Sequence, residues 1–66
     1  MEIIVNGESK EFGDNITLIS LIDELNIKVK VMAAAVNMEV VKRDEWDSKI
    51  LEHGDKIELL HFVGGG

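Results

Sequence analysis

The sequence predicts one small α+β domain, in which a single helix packs on a mixed sheet of four to five strands. It begins with a β-hairpin signal and continues with one apolar stripe at helical spacing. Three further strand-like segments follow, and one helix folded over one sheet is an α+β architecture. A length of 66 residues allows a single domain. We divide the chain into a globular domain, residues 1–63, and a flexible glycine tail, residues 64–66.

The first element is a hairpin over residues 1–5 and 8–12, joined by Asn6-Gly7. Asn-Gly is typical of a type I′ turn, in which both central residues need a positive φ. A two-residue loop pairs residue 5 with residue 8, and the pairing continues outward to residues 1 and 12. The side chains on the predicted core face are Met1, Ile3, Val5 and Phe12. Ile4 then points to the opposite face.

The helix is predicted from apolar residues at positions i, i+3, i+4 and i+7. The stripe begins at Ile16 or Leu18 and continues through Leu21, Ile22 and Leu25. Thr17 is the expected N-cap, because its hydroxyl can accept a free N–H of the first turn. Asn26 is the expected C-terminal stop, and residues 28–30 are a polar connection.

Two short strands and a surface excursion follow the helix. Residues 32–36 and 39–41 are predicted strands, and Asn37-Met38 is the turn between them. Residues 43–48 are predicted to form a short helical turn on the surface. The side chains expected to attach this excursion to the core are Trp46, Ile50 and Leu51.

The last strand, KIELLHFV, alternates its side chains between two faces. Ile57 and Leu59 share one face, on which His61 also lies, whereas Leu60 and Phe62 share the other face with Glu58. If this strand pairs beside the first, the fold is a β-grasp, and Ile4, Leu60 and Phe62 form an apolar patch suited to a protein partner. The alternative is that the excursion at residues 43–51 covers part of this patch.

Composition excludes several classes of function. The chain has no cysteine, which removes disulfides, thiolate catalysis and cysteine metal sites. The net charge of −6 disfavours nucleic-acid binding. A partner with a basic face would complement it, although on charge alone solubility is the favoured explanation of the acidity. No phosphate-binding loop, metal spacing or catalytic motif is present, so we expect a chain that is not an enzyme and binds no cofactor. No segment resembles a signal peptide or membrane span, and we expect a cytoplasmic protein, monomeric when alone.

The three terminal glycines, Gly64, Gly65 and Gly66, are the chemical signal in the sequence. A frayed terminus is the ordinary explanation of such an end. However, glycines without Cβ atoms can enter a narrow channel, and three extended residues reach roughly 10 Å. They could carry the Gly66 carboxylate into another protein's active site. An ionised carboxylate is a poor electrophile, so a separate enzyme would have to activate it by adenylation.

Four stretches of the sequence are distinctive together: the early VNGE turn, the VNMEVVKRDEW segment, the HGDKIEL turn and strand, and the VGGG end. In these the chain resembles the sulfur carrier proteins of thiamine biosynthesis, the ThiS family. It covers essentially the whole chain and implies a ubiquitin-like β-grasp fold. Other carriers remain alternatives: the small subunit of molybdopterin synthase and the carrier for tRNA thiolation. A ubiquitin-like binding or modifier module is the alternative from another class.

The resemblance also implies a set of partners. A ThiF-like adenylating enzyme would use ATP and magnesium to adenylate Gly66, with Gly64 and Gly65 as the rest of the reactive tail. A sulfur donor chain, fed by a cysteine desulfurase, would convert the adenylate to a thiocarboxylate. A ThiG-like thiazole synthase would then accept the sulfur. Leu60, Phe62 and Ile4 are the expected partner-binding residues.

Overall fold

The computed structural model describes residues 1–25 and 31–61, which form one α-helix, a five-stranded mixed sheet and a short 3-10 helix, Arg43–Glu45, within the predicted helical turn at residues 43–48. The strands are β1 Glu2–Val5, β2 Glu8–Glu11, β3 Val31–Val36, β4 Glu39–Val41 and β5 Lys56–His61; the helix α1 is Leu18–Glu24. The order across the sheet is β2-β1-β5-β3-β4, with β1 and β5 parallel and the other pairs antiparallel. The α+β prediction is confirmed, and the last strand lies beside the first.

The N-terminal hairpin has the predicted register. Val5 pairs with Glu8 across the two-residue loop, and the Phe12 N–H donates to the Met1 carbonyl at 2.8 Å. Asn6 and Gly7 have φ values of 48° and 85°, which fit a type I′ turn. The register sends alternate β1 side chains, Ile3 and Val5 among them, into the core.

The helix begins at the predicted cap. The Ser20 N–H donates to the Thr17 hydroxyl oxygen at 3.2 Å, which satisfies one of the free donors of the first turn. The helix ends at Glu24 with Leu25 as its C-cap. The expected stop at Asn26 and the polar connection at residues 28–30 lie outside the described residues.

One hydrophobic core lies between the helix and the inner face of the sheet. It contains Ile3, Val5, Phe12, Ile16, Leu18, Leu21, Ile22, Val31, Ala34, Val36, Trp46, Leu51, Ile57 and Leu59. Burial of apolar surface is the main favourable term in folding, at about 25 cal/mol per Å². A domain of this size buries only about 60% of its unfolded surface, so each of these positions matters to stability.

The excursion after β4 is attached to the core by two of its three expected side chains. Trp46 and Leu51 are buried, and the Trp46 indole N–H donates to the Val41 carbonyl at 2.9 Å. The prediction for Ile50 is wrong, because its side chain is 57% exposed. Ile50 forms an isolated extended bridge with Thr17, and neighbouring side chains in extended backbone point in opposite directions. Burial of Leu51 therefore turns Ile50 outward.

The Asn6 side chain continues the pairing of β1 with β5 past the end of β1. The Asn6 backbone N–H donates to the Ile57 carbonyl at 2.9 Å. Its side-chain Oδ1 accepts from the Leu59 N–H at 2.8 Å, and its Nδ2 donates to the Leu59 carbonyl at 3.3 Å. One amide side chain thus satisfies both backbone groups of Leu59.

The turn between β3 and β4 contacts the beginning of β5 on the side opposite to β1. The Asn37 backbone N–H donates to the Lys56 carbonyl at 2.8 Å, and the Asn37 Oδ1 accepts from the Lys56 N–H at 3.0 Å. The Asn37 Nδ2 also donates to Asp55 at 3.0 Å. Consequently the two hairpin turns both attach to β5 through an asparagine.

We predict that Asn6→Gly speeds amide hydrogen exchange at Leu59 by about tenfold. Glycine accepts the positive φ but removes two hydrogen bonds, each with a net worth of about 0.5–1.5 kcal/mol. Hydrogen exchange followed by NMR, together with urea unfolding, measures the local and global effects.

Asn15→Gly is the matched control, because Asn15 also has a positive φ, 61°, but lies in the loop before the helix. This substitution changes the flexibility of the unfolded chain in the same way as Asn6→Gly does. It should leave the rate of amide exchange at Leu59 as it is in the parent chain. Equal Leu59 exchange in the Asn6→Gly variant and the parent chain would contradict the role given to the Asn6 side chain.

Candidate functional site

The described residues include part of the predicted site. Leu60 lies on β5 and Ile4 on β1, in adjacent strands of the sheet. Phe62 and the three glycines, residues 64–66, lie outside the described residues. His61 is the last described residue, and it is followed in the sequence by Phe62, Val63 and the predicted tail.

The end of β5 is held by its pairing with the beginning of β3. Val31 pairs with His61, and the Arg43 guanidinium donates from Nη2 to the Val31 carbonyl at 2.7 Å. The same guanidinium lies over the Trp46 ring, with its carbon 4.6 Å from the ring centroid. Through these contacts a buried tryptophan helps to hold the end of β5, where His61 is the last described residue.

Arg43 was not among the residues predicted to matter for the site. A usable signal was present, because Arg43 and Trp46 are three residues apart in a predicted helical turn, and side chains at this spacing lie on one face. The hydrogen bond from Arg43 to the Val31 carbonyl could not be predicted from the sequence, because it depends on tertiary structure.

The face of the sheet turned away from the helix is largely open, and we call it the open face. Its described apolar residues include Ile4, Ala33, Ala35, Val40 and Leu60, and Met38 lies at its edge in the turn between β3 and β4. The side chain of Leu60 is 59% exposed, so the excursion at residues 43–51 does not cover it. Exposed leucine and valine above small alanines make a shallow apolar surface of the kind that protein partners bind.

Leu60 lines the first of two hollows in the open face. This hollow has a volume of about 370 Å³, and Ala33, Ala35 and Val40 line it beside Leu60. Val40 is 77% exposed and pairs directly with Ala35 across the β3–β4 ladder. The alanines keep the floor of the hollow low, which leaves room for an inserted side chain.

Ile4 lines the second hollow, which has a volume of about 340 Å³. Gly7, Met38 and Lys56 line it as well. Ile4 pairs with Lys56, and Leu60 is four residues further along β5, roughly 13 Å at strand spacing. Ile4 and Leu60 therefore line separate hollows, and Glu58 lines both. The patch of Ile4, Leu60 and Phe62 stays a prediction, because Phe62 lies outside the described residues.

The chain is acidic overall, but its open face carries charges of both signs, because Lys56 and Glu58 both line the second hollow. The sequence has 13 acidic and 7 basic residues, and Glu58 brings one carboxylate into the middle of the open face. Over residues 1–25 and 31–61, no group of three or more histidine, aspartate or glutamate side chains is arranged to hold a metal ion. Among the same residues no helix is long and apolar enough to cross a membrane.

Comparison with known sequences identifies the family to which the chain is similar. The model of the ThiS family matches residues 3–66. The sulfur carrier protein ThiS of Escherichia coli is 29% identical over 66 residues, with both chains covered completely. Two proteins named thiazole synthase also match over the whole chain, at 32% identity in Paramagnetospirillum magneticum and 35% in Magnetococcus marinus. The chain spans only 20% of the length of these two proteins.

Comparison with solved structures gives the same result. The crystal structure of the thiamine biosynthesis protein ThiS from Geobacter metallireducens matches with a TM-score of 0.82 and 28% identity, and both chains are covered completely. A solution structure of a thiamine biosynthesis protein from the same organism matches with a TM-score of 0.79 and 28% identity, over 100% of this chain and 88% of the other. The ubiquitin-like β-grasp prediction is thereby confirmed, and the chain belongs to the ThiS family.

Proposed function

We propose that the chain is a sulfur carrier for the formation of the thiazole ring of thiamine. The observation that carries this proposal is the match to the E. coli sulfur carrier protein ThiS, which extends over the full length of both chains. The two thiazole synthases that contain a similar segment support the same pathway. In this role the chain is a co-substrate of its partner enzymes and is not itself a catalyst.

The reactive group in this proposal is the α-carboxylate of Gly66. A partner enzyme joins this carboxylate to the α-phosphate of ATP, with magnesium as its metal, and pyrophosphate leaves. A persulfide on a donor chain fed by a cysteine desulfurase then attacks the acyl carbon and displaces AMP. A thiol next attacks the donor sulfur of the resulting acyl persulfide, which breaks the S–S bond and leaves a disulfide on the donor. The product is a thiocarboxylate, whose sulfur passes to the thiazole precursor. Gly64 and Gly65 allow the tail to enter the narrow site in which this occurs.

The open face is the proposed docking surface for these partners. Leu60 and Ile4 line the two hollows, and the alternation of the sequence predicts that Phe62 shares their face. Because β5 precedes residues 64–66 in the sequence, a partner bound to the open face lies against the strand that comes before the tail. The excess of acidic residues speeds encounter with a basic partner surface.

Thiazole synthase and the adenylating enzyme are the two proposed docking partners. The thiazole synthase relatives support the first, because a domain similar to this chain makes up a fifth of their length. The second follows from the chemistry, since no described residue of this chain belongs to a nucleotide-binding loop. We further propose that the carrier is cytoplasmic and monomeric when it is free.

Intact-protein mass spectrometry tests the carrier chemistry. The chain, with Gly66 as its last residue, is incubated with its adenylating enzyme, ATP, magnesium and sulfide. We expect replacement of one oxygen by sulfur, a gain of about 16 Da, which fragmentation assigns to Gly66. The expected intermediate is the acyl adenylate, because carboxylate activation precedes attack by sulfur.

Two variants serve as controls in this experiment. A chain that ends at Gly65 and a chain with one alanine added after Gly66 should fold as the parent does but fail to gain sulfur. Sulfur addition to the extended, unprocessed variant would contradict the proposal that the Gly66 carboxylate is the reactive group. Adenylation of the parent without sulfur transfer would point instead to a ubiquitin-like modifier.

A second prediction concerns docking through Leu60. We expect Leu60→Ala to weaken binding to the adenylating enzyme by about 1–2 kcal/mol, roughly five- to thirtyfold, because truncation removes a side chain buried in the complex. Isothermal titration calorimetry measures the affinity.

Ile50→Ala is the matched control for Leu60→Ala. The exposed fractions of the two side chains are nearly equal, 57% for Ile50 and 59% for Leu60, but Ile50 lies on the excursion and not on the open face. It should leave the affinity within about twofold. If both variants bind as the parent chain does, Leu60 has no part in docking.

A further inference from the structure

Two hairpin turns of this chain have the same geometry but different residues at one position. Asn6 and Gly7 have φ values of 48° and 85°, and Asn37 and Met38 have φ values of 50° and 75°. Each pair forms a two-residue loop between paired strands. The second position holds glycine in the first turn and methionine in the other. A Cβ atom is unfavourable at such φ values, so Met38 is a local misfit with the backbone.

Burial within the chain does not compensate for this misfit. Met38 is 85% exposed, more than any other large hydrophobic residue among those described. It belongs neither to the core nor to the partly buried hydrophobic residues that pack against it. A strained position with an exposed apolar side chain is a reason to look for a function outside the fold.

The position of Met38 suits contact with a partner. Its side chain lines the second hollow of the open face, beside Ile4, Gly7 and Lys56. The preceding residue, Asn37, is hydrogen-bonded to both backbone groups of Lys56, so the turn is fixed relative to β5. A methionine on a fixed backbone offers a flexible, polarizable group that adapts to an apolar pocket.

We infer that Met38 is a specificity-determining contact for thiazole synthase, and that it inserts into an apolar pocket on that enzyme. This inference rests on the proposed function. Thiazole synthase is the proposed partner because two relatives of that name contain a similar domain within their own chains. The charges around Met38 are of both signs, since Lys56 and Glu58 line the same hollow, so the proposed contact is an apolar one.

The test separates the cost of Met38 in folding from its contribution to binding. Met38→Gly should raise the melting temperature by a few degrees, because it relieves the positive-φ strain, and should weaken binding to thiazole synthase by about tenfold. Met38→Leu keeps an apolar side chain and the strain, so the melting temperature should be unchanged and the affinity should stay within about threefold. Calorimetry and thermal unfolding measure the two quantities on the full chain.

Asn15→Gly is the matched control, because it places glycine at another positive φ outside the open face. It should not change the affinity. Unchanged affinity of Met38→Gly for thiazole synthase would overturn the inference, as would weaker binding accompanied by a lower melting temperature. The inference would also be overturned if Met38→Gly weakened only binding to the adenylating enzyme, or only self-association of the chain, and left binding to thiazole synthase unchanged.

Leu60→Ala is measured against thiazole synthase in the same series. If Leu60→Ala weakens binding and Met38→Gly does not, the inference about Met38 fails while docking through the open face stands. If the parent chain itself does not bind thiazole synthase, the proposed function fails first.

Discussion

The central position of β5 in the sheet is the constraint on which the rest of the structure depends. This strand pairs in parallel with β1 on one side and antiparallel with β3 on the other. The parallel pair joins the first and last strands of the chain, and it closes the sheet between two hairpins that are otherwise local structures. Its contacts have the largest sequence separation, so they are costly in chain entropy and need strong local support.

Two asparagines give that support at the turns. Asn6 and Asn37 each accept a positive φ, and each uses its side-chain amide to satisfy backbone groups of β5 that the neighbouring strand does not reach. A buried or half-buried strand with unpaired backbone groups would lose free energy for each one. The turn residues that shape the hairpins therefore also determine the register of the last strand.

One strand consequently serves three purposes. Ile57 and Leu59 face the core, Glu58 and Leu60 face the open side of the sheet, and His61 leads into the segment that ends in glycines. Arg43, between the Val31 carbonyl and the Trp46 ring, links the end of this strand to the core. In the proposed function, this arrangement places the docking surface on the strand that precedes the reactive tail in the sequence.

Much of the fold could be predicted from local chemistry. The Asn6-Gly7 turn gave the register of the first hairpin, and the Thr17 hydroxyl gave the beginning of the helix, because both signals act within a few residues. Ile50 was predicted wrongly because hydrophobicity alone does not show which of two adjacent apolar residues in an extended segment faces inward. The division of the open face into two hollows could not be predicted, since it depends on the register of Ile4 against Lys56 across strands that are distant in sequence.

The measurement that tests this account most directly is a methyl NMR titration of the labelled chain with thiazole synthase. Methyl signals of Ile4, Val40 and Leu60 should shift or broaden as the enzyme is added. Signals of Ile19 on the helix and Ile50 on the excursion should remain unchanged. Changes confined to Ile19 and Ile50, with the open-face methyl signals unaffected, would contradict the claim that the carrier docks through the face beside its tail.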